Sequence, residues 1–196
     1  MKVPELRFFA ILAFVMTLFF SVIWIASATT DGEWIFGADS LSRMGISENP
    51  LSAFLFNFGC IVSGLSGIVI GFGPFAYGKR MMRVSGAFFM IAMVFLAFVG
   101  IFKMPTTEHF VVAASYGVFL SISIFITLLA DWRLSWYPYF DIVFMVAGFA
   151  IVLTQPFELW EAIMVIAALI WTMVMGYKML VRDDKLFSKE PWIGKE

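Results

Sequence analysis

Six long apolar stretches with almost no charge inside them constrain this chain more than any other feature: Leu6 to Ala28, Leu51 to Phe72, Val84 to Phe102, Phe110 to Ala130, Tyr139 to Thr154 and Phe157 to Val181. A helix needs about 20 residues to cross about 30 Å of hydrocarbon, and each stretch meets or approaches that length. The fifth is the shortest. Charges inside them such as Asp141 and Glu161 fall within about two turns of a boundary, where water and headgroups are still reachable. With 62% hydrophobic and 14% charged residues, the chain departs far from a globular average of about 45 to 50% apolar and about 25% charged. The expectation is an all-α, polytopic integral membrane bundle of six transmembrane helices, in one domain over residues 1–181 with a charged cytoplasmic tail over 182–196.

The first stretch begins like a signal peptide, with Lys2 and Arg7 before it and Ala26-Ser27-Ala28 at its end. Secretory apolar regions run about 7 to 15 residues, so this longer run reads as a true span. Threading six spans places eleven of the thirteen Lys and Arg on one side, with Arg43 and Lys103 alone on the other. Basic residues near span ends are retained in the cytoplasm. This predicts a multi-pass protein of the cell membrane with both termini cytoplasmic and residues 29–50 as the main external loop. Trp132, Trp136, Tyr137 and Tyr139 gather at the inner interface, and Trp34 and Trp160 mark the outer one.

A net charge of -1 offers no basic surface to nucleic acid. One cysteine, Cys60, and one histidine, His109, leave no intrachain disulfide, multi-cysteine metal site or bis-histidine haem. No cofactor and no metal are expected. There is no Gly-rich phosphate loop, HExxH or GxSxG motif. No ionisable residue lies near a span centre, which argues against a charge-driven pump.

Gly59, Ser63, Gly67 and Gly71 repeat every four residues along the second span, a stripe that lets a neighbouring helix approach closely. Most other polar residues gather towards the predicted outer face. Asp39, Ser42 and Arg43 lie in the loop, Asn57 in the second span, Glu108 and His109 at the start of the fourth, and Glu158 and Glu161 at the start of the sixth. Structural readings compete for several of them. Thr106 suits an N-cap with Glu108 near the positive helix end, Thr154-Gln155-Pro156 suits the start of the sixth helix, and Arg43 can pair with Asp39. Glu161 lies deeper, where an ionised carboxylate needs a partner unless it reaches headgroup water. On the inner side Asp131 and Arg133 read as a local pair, with Asp141 in the first turn after Pro138, and neither suggests a site.

The segment Asp39-Ser40-Leu41-Ser42-Arg43-Met44-Gly45, then Phe54-Leu55-Phe56-Asn57-Phe58-Gly59, and further on Val99-Gly100-Ile101-Phe102 with His109 and Ala113, resembles the prokaryotic membrane family known as domain of unknown function 998. The resemblance spans roughly residues 5 to 180. It implies six membrane helices, a short external loop with a Ser-Leu-Ser/Asp-x-Gly pattern, and a histidine opening the fourth helix. The pattern falls on Ser40, Leu41, Ser42, Gly45, Asn57, Gly59, Gly100 and His109. Arg43 and Lys103 depart from it, standing where an acid or small polar residue and a proline are expected. The family carries no agreed activity.

Two functional expectations follow. In the first, Asp39, Ser42, Arg43, Asn57, His109 and Glu161 converge on a pocket at the outer leaflet that binds a membrane lipid or small amphiphile, with His109 facing Glu161. In the second, the chain is a non-catalytic structural or assembly subunit that packs against other membrane proteins or copies of itself. There the polar groups pair among themselves and the small-residue stripe, or a Met-rich face, turns outward. Nothing in the residues spells out a reaction.

Overall fold

The computed structural model describes residues 4–132 and 136–193. Six helices cross the molecule in alternation: α1 Leu6–Asp31, α2 Pro50–Tyr77, α3 Arg80–Val99, α4 Thr107–Asp131, α5 Tyr137–Thr154 and α6 Phe157–Val181. All six are long and apolar enough to span a membrane, and no strand occurs among the described residues. A short 3-10 helix, η1 (Leu41–Ile46), lies between α1 and α2. Because the number of crossings is even, α1 begins at the same end of the bundle at which α6 finishes. That end is called the tail end below; the opposite one, which carries η1, is the loop end.

Helix limits differ from the apolar runs where capping decides instead of hydropathy. Asn49 caps α2 by accepting from the Leu51 amide at 3.0 Å, with Pro50 in the first turn, where its missing donor costs nothing. The helix continues past Phe72 through Pro74 to Tyr77. α3 opens on Arg80 and stops before Gly100, earlier than the apolar run suggests. Thr106 caps α4 as expected, accepting from the His109 amide at 3.3 Å. At the start of α6 the reading needs correction. Pro156 is itself the N-cap, and Thr154 closes α5 by donating to the Ala150 carbonyl at 2.7 Å.

The stripe on α2 is internal, and it serves two neighbours. A side chain at Gly59 would meet Phe20 and Ile23 of α1, and one at Gly67 or Gly71 would meet Met93, Met90 and Phe89 of α3. Ser63 is buried with them. Off the stripe, at Gly64, backbone itself comes close: a Cβ would lie 2.5 Å from the Ala97 amide nitrogen of α3. Small residues thus let three backbones pack in a medium that supplies no hydrophobic drive between helices. Buried hydroxyls add interhelical hydrogen bonds: Ser27 to Ser52 between α1 and α2, and Ser85 to Ser123 and Thr127 between α3 and α4.

α5 stands apart. Its only buried residues are Tyr137, Pro138 and Asp141, all in its first two turns. Beyond them Val143, Val146, Phe149 and Leu153 are each more than 60% exposed. The helix is therefore anchored at the tail end and borders apolar solvent over most of its length.

The tail folds back on the bundle. Lys79 and Ser188 amides donate to the Leu186 and Tyr77 carbonyls at 2.8 Å, and the Trp192 indole donates to the Phe75 carbonyl at 2.7 Å. Leu186 and Phe187 are buried as a plug under the α2–α3 turn.

Candidate functional site

The loop end is built around η1. The first amides of a short helix have no partner inside it, and Ser40, in the N-cap position, supplies no side-chain bond. The cap comes from α6. Glu161 accepts from the Ser42 hydroxyl at 2.5 Å and, at the long distance of 3.5 Å, from the Ser42 amide. Its carboxylate therefore sits where the η1 dipole is positive. The opposite end of η1 is tied to α2, where the Asn57 side-chain amide donates to the Gly45 carbonyl at 2.9 Å. Gly45 is required by this approach, because a Cβ there would lie 2.7 Å from Asn57 Oδ1. Gly100 is required from the other side, where the Asn57 backbone oxygen would meet its Cβ. The Trp34 indole closes the loop by donating to the Ser40 carbonyl at 3.0 Å.

Asp39 and Arg43 form the expected ion pair. The Ile35 amide, bonded at 3.0 Å, and the Arg43 guanidinium hold the Asp39 carboxyl below its ordinary range. Asp39 in turn favours the charged form of Arg43. The Arg43 side chain is 43% exposed, against 21% for that of Asp39.

His109 is buried, and its Nδ1 lies 2.7 Å from the Phe102 carbonyl. A carbonyl can only accept, so Nδ1 carries the proton in this contact. His109 is near enough to act on Glu161 electrostatically, yet among the described residues no hydrogen bond joins them. The ring closes the α3–α4 connection, and Glu161 is held by η1. The structure thus brings Ser42 to Glu161, Asp39 to Arg43 and Asn57 to Gly45, while His109 binds backbone.

The tail end holds a cluster that the sequence reading passed over. Lys178 of α6 is 1% exposed and donates to Asp131 of α4, and its Nζ lies 3.5 Å from Asp141 of α5. Both carboxylates are fully buried. The Tyr137 ring stands 4.9 Å from the ammonium, close enough for a cation–π contact. The expected partner of Asp131, Arg133, lies outside the described residues. Lys178 is one of the eleven basic residues of the predicted cytoplasmic side, and it is a buried ion that joins three helices. The signal was three charges at one end of three successive spans. Only packing reveals that they meet.

Between α5 and α6 runs a cleft of about 210 Å³ lined solely by apolar residues, among them Val143, Ala147, Ile151, Ile163, Met164 and Ala167. No group of three or more His, Cys, Asp or Glu able to hold a metal occurs among the described residues.

No curated protein and no solved structure matches the chain. The family model described as "Protein of unknown function (DUF998)" matches residues 12–178. That range runs from α1 into the last turn of α6 and takes in η1 and every residue that ties it to the helices. This multi-pass chain with membrane-spanning helices belongs to the DUF998 family of proteins of unknown function.

Proposed function

We propose that the protein binds a membrane lipid or a small amphiphile, with its apolar chain in the cleft between α5 and α6. The carrying observation is the lining of that cleft. Apolar cavities of roughly 150 Å³ stay dry and take up apolar ligands, and this one is larger and borders the bilayer. The headgroup would reach the loop end, where Arg43 offers an exposed guanidinium and Asp39, Ser42, Asn57, His109 and Glu161 supply the polar surroundings. Because these groups are engaged with one another or with backbone carbonyls, headgroup binding would have to draw on Arg43 first. We also propose that the loop end is extracytoplasmic, on the asymmetry of basic residues. Single cysteines at Ser47 and Asp184, in a Cys60→Ser background, test it with an impermeant reagent on intact cells. Ser47 should label and Asp184 should not.

The binding test is native mass spectrometry of protein extracted gently from membranes, comparing wild type with Ala147→Phe and Ala167→Phe. Both substitutions fill the cleft, and bound lipid should fall several-fold while the helical content is kept. Equal lipid in all three proteins would remove the reading. It would favour the alternative, a non-catalytic structural or assembly subunit, for which the mutual pairing of the loop-end polar groups speaks. The inward stripe on α2 speaks against that alternative, since its contact face is already used within the chain.

A further inference from the structure

The cluster of Asp131, Lys178 and Asp141 carries two carboxyl groups and one ammonium, all closed off from solvent within three membrane helices. Lys178 bonds one oxygen of Asp131. The other oxygen of Asp131 and both oxygens of Asp141 accept no hydrogen bond, although both carboxyl groups reach the same ammonium. Two ionised carboxylates cannot bond to each other, since neither has a donor. A net negative charge in such surroundings is also costly unless something neutralises it. Among the described residues, Lys178 and Asp131 are the charged groups that act on Asp141. Tyr137 faces Lys178 with its ring, and Tyr177 and Asp183 act on Tyr137 from farther out.

We propose that Asp131 and Asp141 hold one exchangeable proton between them above Lys178, and that this proton-binding site fastens α5 to α4 and α6. One proton makes the cluster neutral and supplies the missing donor. When it leaves for solvent, two carboxylates face one ammonium across the junction of α4, α5 and α6. Asp141 is one of the three buried residues of α5, so the helix loosens there first. This site is independent of what occupies the α5–α6 cleft.

The experiment is infrared spectroscopy of the full chain in lipid nanodiscs at neutral pH, in H2O and D2O and with sodium or potassium as the salt. It is run on wild type and on Asp141→Asn, whose amide replaces the shared proton with its own donor. Wild type should show a protonated-carboxyl band that shifts in D2O, is indifferent to the salt, and is missing from Asp141→Asn. Thermal unfolding supplies a second reading. The folded protein keeps a proton that the unfolded chain releases, so wild-type stability should fall as pH rises through the titration of the pair. Asp141→Asn should stay folded with a flatter profile. The proposal is overturned if the band survives in Asp141→Asn, if sodium abolishes it, or if Asp141→Asn unfolds, which would mean that Lys178 needs both negative charges.

Discussion

The two ends of the bundle handle polar residues in opposite ways. At the loop end each group meets a partner of the right kind: Glu161 the Ser42 hydroxyl, Asn57 the Gly45 carbonyl, Arg43 the Asp39 carboxylate. Several of them are part-exposed, so water can complete their bonding. At the tail end two carboxyl groups and one ammonium are enclosed with oxygens left over. Loop-end polarity therefore acts as joinery that shapes η1. Tail-end polarity holds three helices through charges that cannot be relieved by solvent, and so it should be far more sensitive to substitution.

The largest effect is expected at Lys178. Lys178→Met leaves two buried carboxyl groups without their cation, and loss of one partner from a buried ion pair costs about 3–5 kcal/mol. Thermal unfolding in detergent should show a large drop. The double variant Lys178→Met with Asp131→Asn should recover part of it. If Lys178→Met unfolds like wild type, the tail end is no more demanding than the loop end and the contrast fails.

Next comes the scaffold on which both ends hang. Gly67→Leu forces a side chain into Met93 of α3, and Gly64→Leu one into the α3 backbone. Overpacking costs about 1–3 kcal/mol. The Gly64 variant should be the worse of the two, because backbone yields less than a Met side chain. An unchanged melting temperature with altered assembly would move the α2 stripe to a contact between subunits.

At the loop end Gly45→Ala should displace Asn57 and cost about 1–3 kcal/mol, the range for a buried polar group left unsatisfied. Hydrogen exchange should quicken in η1 with the rest of the bundle unaffected. Exchange quickened throughout would show that the loop end holds the bundle as well.

The smallest effect belongs to Arg43→Ala, since exposed ion pairs contribute about 0–1 kcal/mol. Its pH signature has a definite sign. Asp39 is held below its ordinary range in the folded chain, so its contribution is present above the unfolded carboxyl range and is lost as pH falls through the folded value. Arg43→Ala should shrink this acid-side loss, measured as the difference in melting temperature between neutral pH and pH below about 4. An unaltered acid profile would assign the effect to the Ile35 amide alone.

Chain chemistry by itself determined the number of crossings, since a run of about 20 apolar residues has only the bilayer to enter and must satisfy its own backbone there. It also gave the small-residue face of α2, the Thr106 cap and the Asp39–Arg43 pair, because each depends on residues a few positions apart. What lay beyond local reach was decided by packing. Glu161 and Ser42 are 119 residues apart, and nothing near either shows that an α6 carboxylate caps η1. The residues place His109 opposite Glu161; the two interact electrostatically, but the bond of Nδ1 to a carbonyl that the α3–α4 connection brings beside it has no local signal. The tail reads from its residues as a charged cytoplasmic segment, and Leu186 and Phe187 find a buried seat only once the α2–α3 turn exists. Lys178, Asp131 and Asp141 each resemble an ordinary charge near a span end. Their burial is a property of three helices meeting, because enclosure is set by neighbours from distant sequence and not by the residues next to them in the chain.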